Sequence, residues 1–206
     1  MAGYTPSISK LPARILGENV ELRANDPALW PYIEKLNTDQ RAELCEWLKQ
    51  PQNAETIFSD RANYIRWIED SIQAEFDIFQ RGYWIYSPEK NRMVGTITAR
   101  IPEDGDVLVL GCIVFPEYRG SGFASAAASA LADRAFKNGG VTYACAETTP
   151  DNKFSARCLI KAGFREVAGG VCTTSAAFKG KPMRRFIKTP GALPTEWPLA
   201  GYMQPR

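Results

Sequence analysis

The chain has 206 residues, near the upper end for one ordinary domain, and its 45% hydrophobic and 23% charged residues give a globular rather than a disordered balance. A formal charge of +2 argues against general attraction to nucleic acid or an anionic membrane, so basic runs such as Lys179-Gly180-Lys181 and Arg184-Arg185 read as solvated faces. Histidine is absent, which excludes Ser-His-Asp and Cys-His nucleophilic catalysis and removes the commonest zinc ligand.

Residues 1–13 carry Pro6 and Pro12 with no clear period and read as an N-terminal extension. From Arg14 to Arg23, Val20 and Leu22 alternate with Glu21 and Arg23, the pattern of a first strand. Asp26-Pro27 supplies an N-cap and a proline at the first helical position, and Leu29, Trp30, Ile33 and Leu36 share one helix face. A second helical run, Ala42–Lys49, stops before Pro51. Ser59-Asp60 opens a long amphipathic helix whose apolar set is Tyr64, Ile65, Trp67, Ile68, Ile72, Phe76 and Phe79, with Gly82 as its end. Tyr83–Tyr86 and Arg92–Ile101 form a hairpin around Ser87–Asn91, and Val107–Phe115 is apolar enough for a central strand. An Ala-rich helix, Ser125–Lys137, leads to a strand at Val141–Thr148. Asp151 or Asn152 then caps a helix that runs to Lys161 and stops at Gly163. Phe164–Thr173 and Met183–Lys188 are the last strands, and residues 190–206 form a Pro-rich tail. The order predicts one α/β domain over residues 14–189, a mixed sheet of about six or seven strands flanked by helices.

No stretch reaches the ~18 consecutive apolar residues of a membrane span, and the N-terminus lacks the basic start and apolar run of a signal peptide. The five cysteines (Cys45, Cys112, Cys145, Cys158 and Cys172) are odd in number and widely spaced. They read as reduced thiols of a cytoplasmic protein, mostly small buried apolar groups, with no metal and no disulfide framework expected.

The chemistry concentrates where the central strand runs into Pro116-Glu-Tyr-Arg119-Gly120-Ser121-Gly122-Phe123-Ala124 and then a helix. Gly120 and Gly122 allow a tight turn that brings successive amides to a ligand, the helix points its positive end at the same place, and Arg119 adds charge. Ala124, Ala126, Ala127 and Ala128 keep the first turns slim. A dinucleotide fingerprint fails because Ser125 stands at its third glycine, and a phosphate-binding P-loop fails for want of Gly-Lys-Ser/Thr. A plain strand-to-helix turn remains the other reading of these residues alone.

Arg119-Gly-Ser-Gly-Phe-Ala124 resembles the R-x-x-G-x-A signature of the GNAT superfamily of acetyl-CoA-dependent N-acetyltransferases. Pro150-Asp-Asn152-Lys-Phe-Ser155 through Lys161-Ala-Gly163-Phe164 resembles its second landmark, in the form used by the Rim-type branch that acetylates ribosomal-protein N-termini. The resemblance covers Arg14 to Lys188. It implies a GNAT fold, acetyl-CoA as donor and an amine acceptor; the near-neutral charge and the lack of an apolar span leave no nucleic-acid or membrane partner expected, and a homodimer stays open. The resemblance also implies that backbone groups of Ile113 and Val114 pair with the pantetheine arm. Amides of Arg119, Gly120, Ser121, Gly122, Phe123 and Ala124 would hold the diphosphate, and Asn152 would bond the pantetheine or lock the central strands; its other reading is a helix N-cap.

Acyl transfer to an amine needs a neutral nucleophile, a donor for the oxyanion and a proton for the departing thiolate. The resemblance gives the oxyanion to the Val114 N–H and the thiolate to Ser155, since the tyrosine many members use is Leu159 here. The branch's strand and helix glutamates are Val109 and Ala126 in this chain, which leaves Glu147 as the nearest carboxylate for the base. A surface salt bridge at Glu147, or proton loss through water, stays open. Cys112 and Cys145 on the central strands make a thiol acyl carrier conceivable, though nothing here activates a thiol. Trp67, Tyr83, Trp84 and Tyr86 read as core with some lining the acceptor pocket. The alternative from another class is a GNAT-like module that holds acyl-CoA without turnover, and a longer acyl chain is sterically permitted.

Overall fold

A computed structural model describes residues 11–47, 54–78, 80–101, 106–138, 140–172, 178 and 180–199. Strands β1 (Arg14–Leu16) and β2 (Glu21–Ala24) precede the N-terminal helices. These are α1 (Trp30–Ile33, entered through a 3-10 turn), α2 (Thr38–Trp47), α3 (Ala54–Ile57) and α4 (Arg61–Ile78). Strands β3 (Gln80–Ser87), β4 (Arg92–Arg100) and β5 (Val107–Val114) lead to α5 (Phe123–Asn138). Then come β6 (Tyr143–Thr148), α6 (Lys153–Lys161), β7 (Arg165–Val171) and β8 (Pro182–Lys188). All the described strands join one eight-stranded sheet in the order β1-β2-β3-β4-β5-β6-β8-β7. Every neighbouring pair is antiparallel except β5–β6.

The strand count exceeds the expected six or seven because Arg14–Arg23 is a hairpin, not one strand. Gly17 N–H donates to the Val20 carbonyl at 2.9 Å and turns the chain. A Cβ on Gly17 would stand 3.1 Å from Ala130 on α5, so the missing side chain also lets this turn lie against the helix. Gly82 does not end the long helix either. That helix stops at Ile78, and Gly82 lies within β3 opposite Thr98. Ile72, Phe76 and Phe79 lie outside the described side chains.

The sheet carries different layers on its two faces. On one, Phe123, Ala127, Leu131 and Ala135 of α5 pack against Leu108, Leu110, Ala144 and Ala146. The alanines keep α5 close to the strands. On the other, α1 to α4 bury Ile33, Leu44, Phe58, Tyr64 and Ile68 against Trp84, Tyr86 and Met93. Tyr83, Trp84 and Tyr86 are buried in these layers. Alternation along β6 sends Ala144 and Ala146 toward α5 and Cys145 the other way, to a cluster with Val107, Val109, Ile187 and Leu199. Leu11 and Leu199, near the two ends of the described chain, are both buried. No helix among the described residues is long and apolar enough to cross a membrane.

Candidate active site

Strands β5 and β6 are parallel, and their ladder holds Val107↔Tyr143, Leu108↔Ala144 and Val109↔Cys145 and then stops. Past that point β5 follows β4 as far as Gly95↔Val114, and β6 follows β8 as far as Thr148↔Arg184. The two strands therefore splay at their carboxyl ends, the end where ligands enter parallel sheets. A wedge opens between Leu110–Val114 and Ala146–Thr148.

Hydrogen-bond direction alternates along an antiparallel strand. Phe115 N–H donates to the Val94 carbonyl on β4 at 2.9 Å, so Ile113 and Gly111 also face β4, while Val114 and Cys112 turn their amides toward the wedge. Of the two backbone positions expected to meet pantetheine, Val114 is directed into the wedge and Ile113 is turned from it. Gly95 makes this arrangement possible. A Cβ there would lie 2.2 Å from the Ile113 carbonyl oxygen, so only glycine lets β4 approach so near. Nothing in the sequence marked Gly95, because its reason lies across the sheet.

Beyond Val114 a 3-10 turn at Pro116–Tyr118 leads to Gly120 (φ +80) and Gly122 (φ +83), both in the left-handed region that favours glycine. A Cβ at Gly120 would meet nothing within 4 Å, so backbone conformation and not crowding selects glycine there. Phe123 buries its side chain in the α5-side core and anchors the start of α5. The amides of Phe123, Ala124 and Ser125 precede the first helical bond, Ala126 N–H to the Gly122 carbonyl at 3.0 Å, and stand at the carboxyl end of β5 where the strands part. Together the glycine turn and the helix end suit a diphosphate.

The Arg119 side chain has partners within the protein. Its Nε donates to the Val114 carbonyl at 2.9 Å, and its Nη2 pairs with Glu43 on α2. Gln40, one turn earlier on α2, donates to the Glu117 carboxylate. Gln40 is itself fixed by reciprocal bonds with Asn37 at the helix start, at 2.9 and 3.0 Å. The loop is thus tied to the helices on the opposite face of the sheet. Trp47 at the end of α2 lies over the middle of β5, since a Cβ on Gly111 would be 3.5 Å from its ring.

Asn152 is the N-cap of α6, its Oδ1 accepting the Ser155 amide at 3.0 Å. The cap uses the amide oxygen of an exposed Asn152. Because β5 and β6 are parallel, Asn152 and half-buried Ser155 stand at the same end of the sheet as Val114 and the start of α5. Leu159, one turn beyond Ser155, is buried in the α5-side core.

Glu147 lies on the opposite face from Ala146 and forms a salt bridge, but not at the surface. Its side chain has no exposure, and Arg185 Nε lies 3.1 Å from its Oε1. Arg185 is itself fixed: it crosses Gly170 with no room for a Cβ, donates to the Val171 carbonyl at 2.7 Å, and lies 4.9 Å from the Trp197 ring centre. The pair follows from the β6–β8 register, which sets Glu147 opposite Arg185. Burial pushes the Cys112 thiol up to about 12 and Cys45 up to about 11, and raises Cys145 and Cys158 as well.

A family model described as an acetyltransferase (GNAT) domain matches residues 22–165, more than half of the chain. No curated protein matches the chain closely enough to count as a relative. Among solved structures, Mycobacterium smegmatis RimJ in complex with CoA-disulfide is similar at 15% identity and TM-score 0.67, over 91% of this chain and 90% of that one. The microcin C7 self-immunity acetyltransferase MccE, solved with acetyl-CoA and AMP, gives 13% and 0.66 over 88% and 99%. A ribosomal-protein-S5-alanine acetyltransferase from Vibrio fischeri gives 16% and 0.64 over 86% and 97%. At these identities the likeness speaks for the fold, with Rim-type enzymes among the neighbours. The domain match, on a sheet that splays beside a glycine turn, makes this chain a member of the GNAT acetyltransferase family, an acyltransferase that takes its acyl group from acetyl-CoA.

Proposed function

We propose that the chain moves the acetyl group of acetyl-CoA to a primary amine, on a protein N-terminus or a small molecule, by direct attack in a ternary complex. The observation that carries this reading is the wedge between β5 and β6, which part beyond Val109 and Cys145 beside the glycine turn. Similar structures solved with CoA-derived ligands support the donor side.

In this mechanism the first-turn amides of α5 hold the diphosphate, and Asn152 offers its NH2 to the pantetheine arm. The amine nitrogen attacks the thioester carbon, and the Val114 N–H receives the negative charge that grows on the carbonyl oxygen. The carbon–sulfur bond then breaks. Ser155 donates a hydrogen bond to the departing thiolate and orients it. Glu147 is the nearest carboxylate on these strands, but its side chain is buried and held by Arg185, so the amine gives up its proton to water directly. Arg119 positions the Val114 peptide through its carbonyl.

Thiol release from acetyl-CoA over a panel of amines tests the reading. Wild type releases thiol with at least one amine, and Ser155→Ala lowers kcat by roughly ten- to a hundredfold, as expected for one lost transition-state hydrogen bond. Unchanged turnover in Ser155→Ala removes that serine from the mechanism. Tight CoA binding with no release on any amine makes the chain a binding module.

A further inference from the structure

We propose that Glu43 on α2 is a positioning residue for the transfer: it holds the Arg119 guanidinium on the Val114 carbonyl, so that this oxygen does not oppose the oxyanion at the Val114 N–H. This rests on the reading of Val114 as the oxyanion donor and deepens it.

A β-strand sends the N–H and the C=O of one residue to the same side. Ile113 turns its carbonyl to Gly95 on β4, so Val114 turns both of its groups the other way, into the wedge. The donor N–H therefore has a partial negative charge beside it, on the carbonyl oxygen of its own residue. Left bare, that oxygen would repel an anion growing at the N–H. Arg119 Nε donates to it at 2.9 Å and sets a positive charge there.

One bond to a carbonyl is a weak hold on a long side chain that is 56% exposed. Glu43 supplies the second hold by accepting from Nη2. A guanidinium gripped at Nε by a carbonyl and at Nη2 by a carboxylate has its plane fixed. Helix α2 is placed to make this contact. Gln40, Glu43 and Trp47 follow one another at three- and four-residue spacing along one side of it. Gln40 donates to the Glu117 carboxylate, Glu43 takes Arg119, and Trp47 lies over Gly111. The helix thus meets the chain on both sides of Val114. Leu44 and Cys45 anchor it, buried in one cluster with Ile33, Phe58 and Tyr64. An exposed ion pair contributes little to stability, so the effect of this one lies in what Arg119 covers.

The test compares wild type, Glu43→Ala, Glu43→Gln, Arg119→Met and the Glu43→Ala, Arg119→Met double variant in the full chain. Steady-state kinetics with acetyl-CoA and the most rapidly acetylated amine of a panel are read beside calorimetric CoA binding and thermal unfolding. Glu43→Ala is expected to lower kcat roughly tenfold, the loss of one oriented hydrogen bond, with KM for acetyl-CoA, CoA binding and Tm nearly unchanged. Glu43→Gln keeps an oxygen that accepts from Nη2 and should keep most of kcat. Arg119→Met should lower kcat at least as far, and in that background Glu43→Ala should add nothing. Full kcat in Glu43→Ala or in Arg119→Met overturns the proposal. So does a Glu43→Ala defect confined to KM and CoA binding, one that persists undiminished in the Arg119→Met background, or a fall in Tm and kcat that Glu43→Gln shares. A wild-type chain that releases no thiol with any amine overturns the acyl-transfer reading itself.

Discussion

A Cβ at Gly95 would stand 2.2 Å from the Ile113 carbonyl oxygen and 2.9 Å from the Val114 Cα, backbone atoms that no rotamer change can move. The Gly95→Ala chain must push β4 and β5 apart, at a cost of roughly 1–3 kcal/mol of stability. The displaced atoms include those that aim the Val114 amide, so kcat should fall more than KM for acetyl-CoA rises. Urea unfolding together with initial rates measures both, and a fully active, equally stable Gly95→Ala would show that the close approach is not needed. At the same scale, burial decides what the thiols do. Cys112, pushed up to about 12, and Cys145, raised further by burial and by the charges of Glu147 and Asp106, stay protonated near neutral pH. The thiolate is the nucleophile, so neither suits the acyl-carrier role that their place on the central strands suggested.

The β1–β2 hairpin is held by charge as well as by its backbone. Glu21 accepts from Arg14 at 2.8 Å and from Arg23 at 2.7 Å, and the Arg23 guanidinium lies 3.6 Å from the Tyr86 ring centre on β3. Burial works against the Glu21 charge, but the Arg23 and Arg14 guanidiniums outweigh it and hold the carboxyl below its ordinary range. With the folded value depressed, the stabilisation is complete above the unfolded carboxylate range and is lost as pH falls through the lower folded value. Glu21→Gln should therefore cost on the order of 1–3 kcal/mol at neutral pH. Its deficit should shrink as the medium is acidified. Thermal unfolding of both chains across the acid range reads this, and a deficit that stays constant with pH would contradict the assignment. The hairpin is signalled in the sequence only by the turn-favouring Gly17 and Asn19, which the alternation of Val20 to Arg23 masks, and the Gly17–Val20 bond reveals the turn. Helices α5 and α6 were legible, since both carry their start and stop signals within a few residues.

Across the molecule, local signals placed the elements and pairing made the site. The motif residues Gly120, Gly122, Asn152 and Ser155 stood out by type and spacing. The wedge did not, because it exists only where β5 keeps to β4 and β6 keeps to β8. Glu147 could be seen as a carboxylate but not as a buried partner of Arg185, which needs the β6–β8 register. Arg119 looked like a phosphate ligand by sequence proximity, and its guanidinium bonds the Val114 carbonyl and pairs with Glu43. The most direct test of the account is mass spectrometry of one reaction that holds the chain, acetyl-CoA and an amine panel, reading the amines and the intact chain together. The account predicts an acetylated amine and free CoA with no acetyl group on the chain. An acetylated cysteine that passes its group to the amine, or bound acetyl-CoA with no acetylated amine, would contradict it.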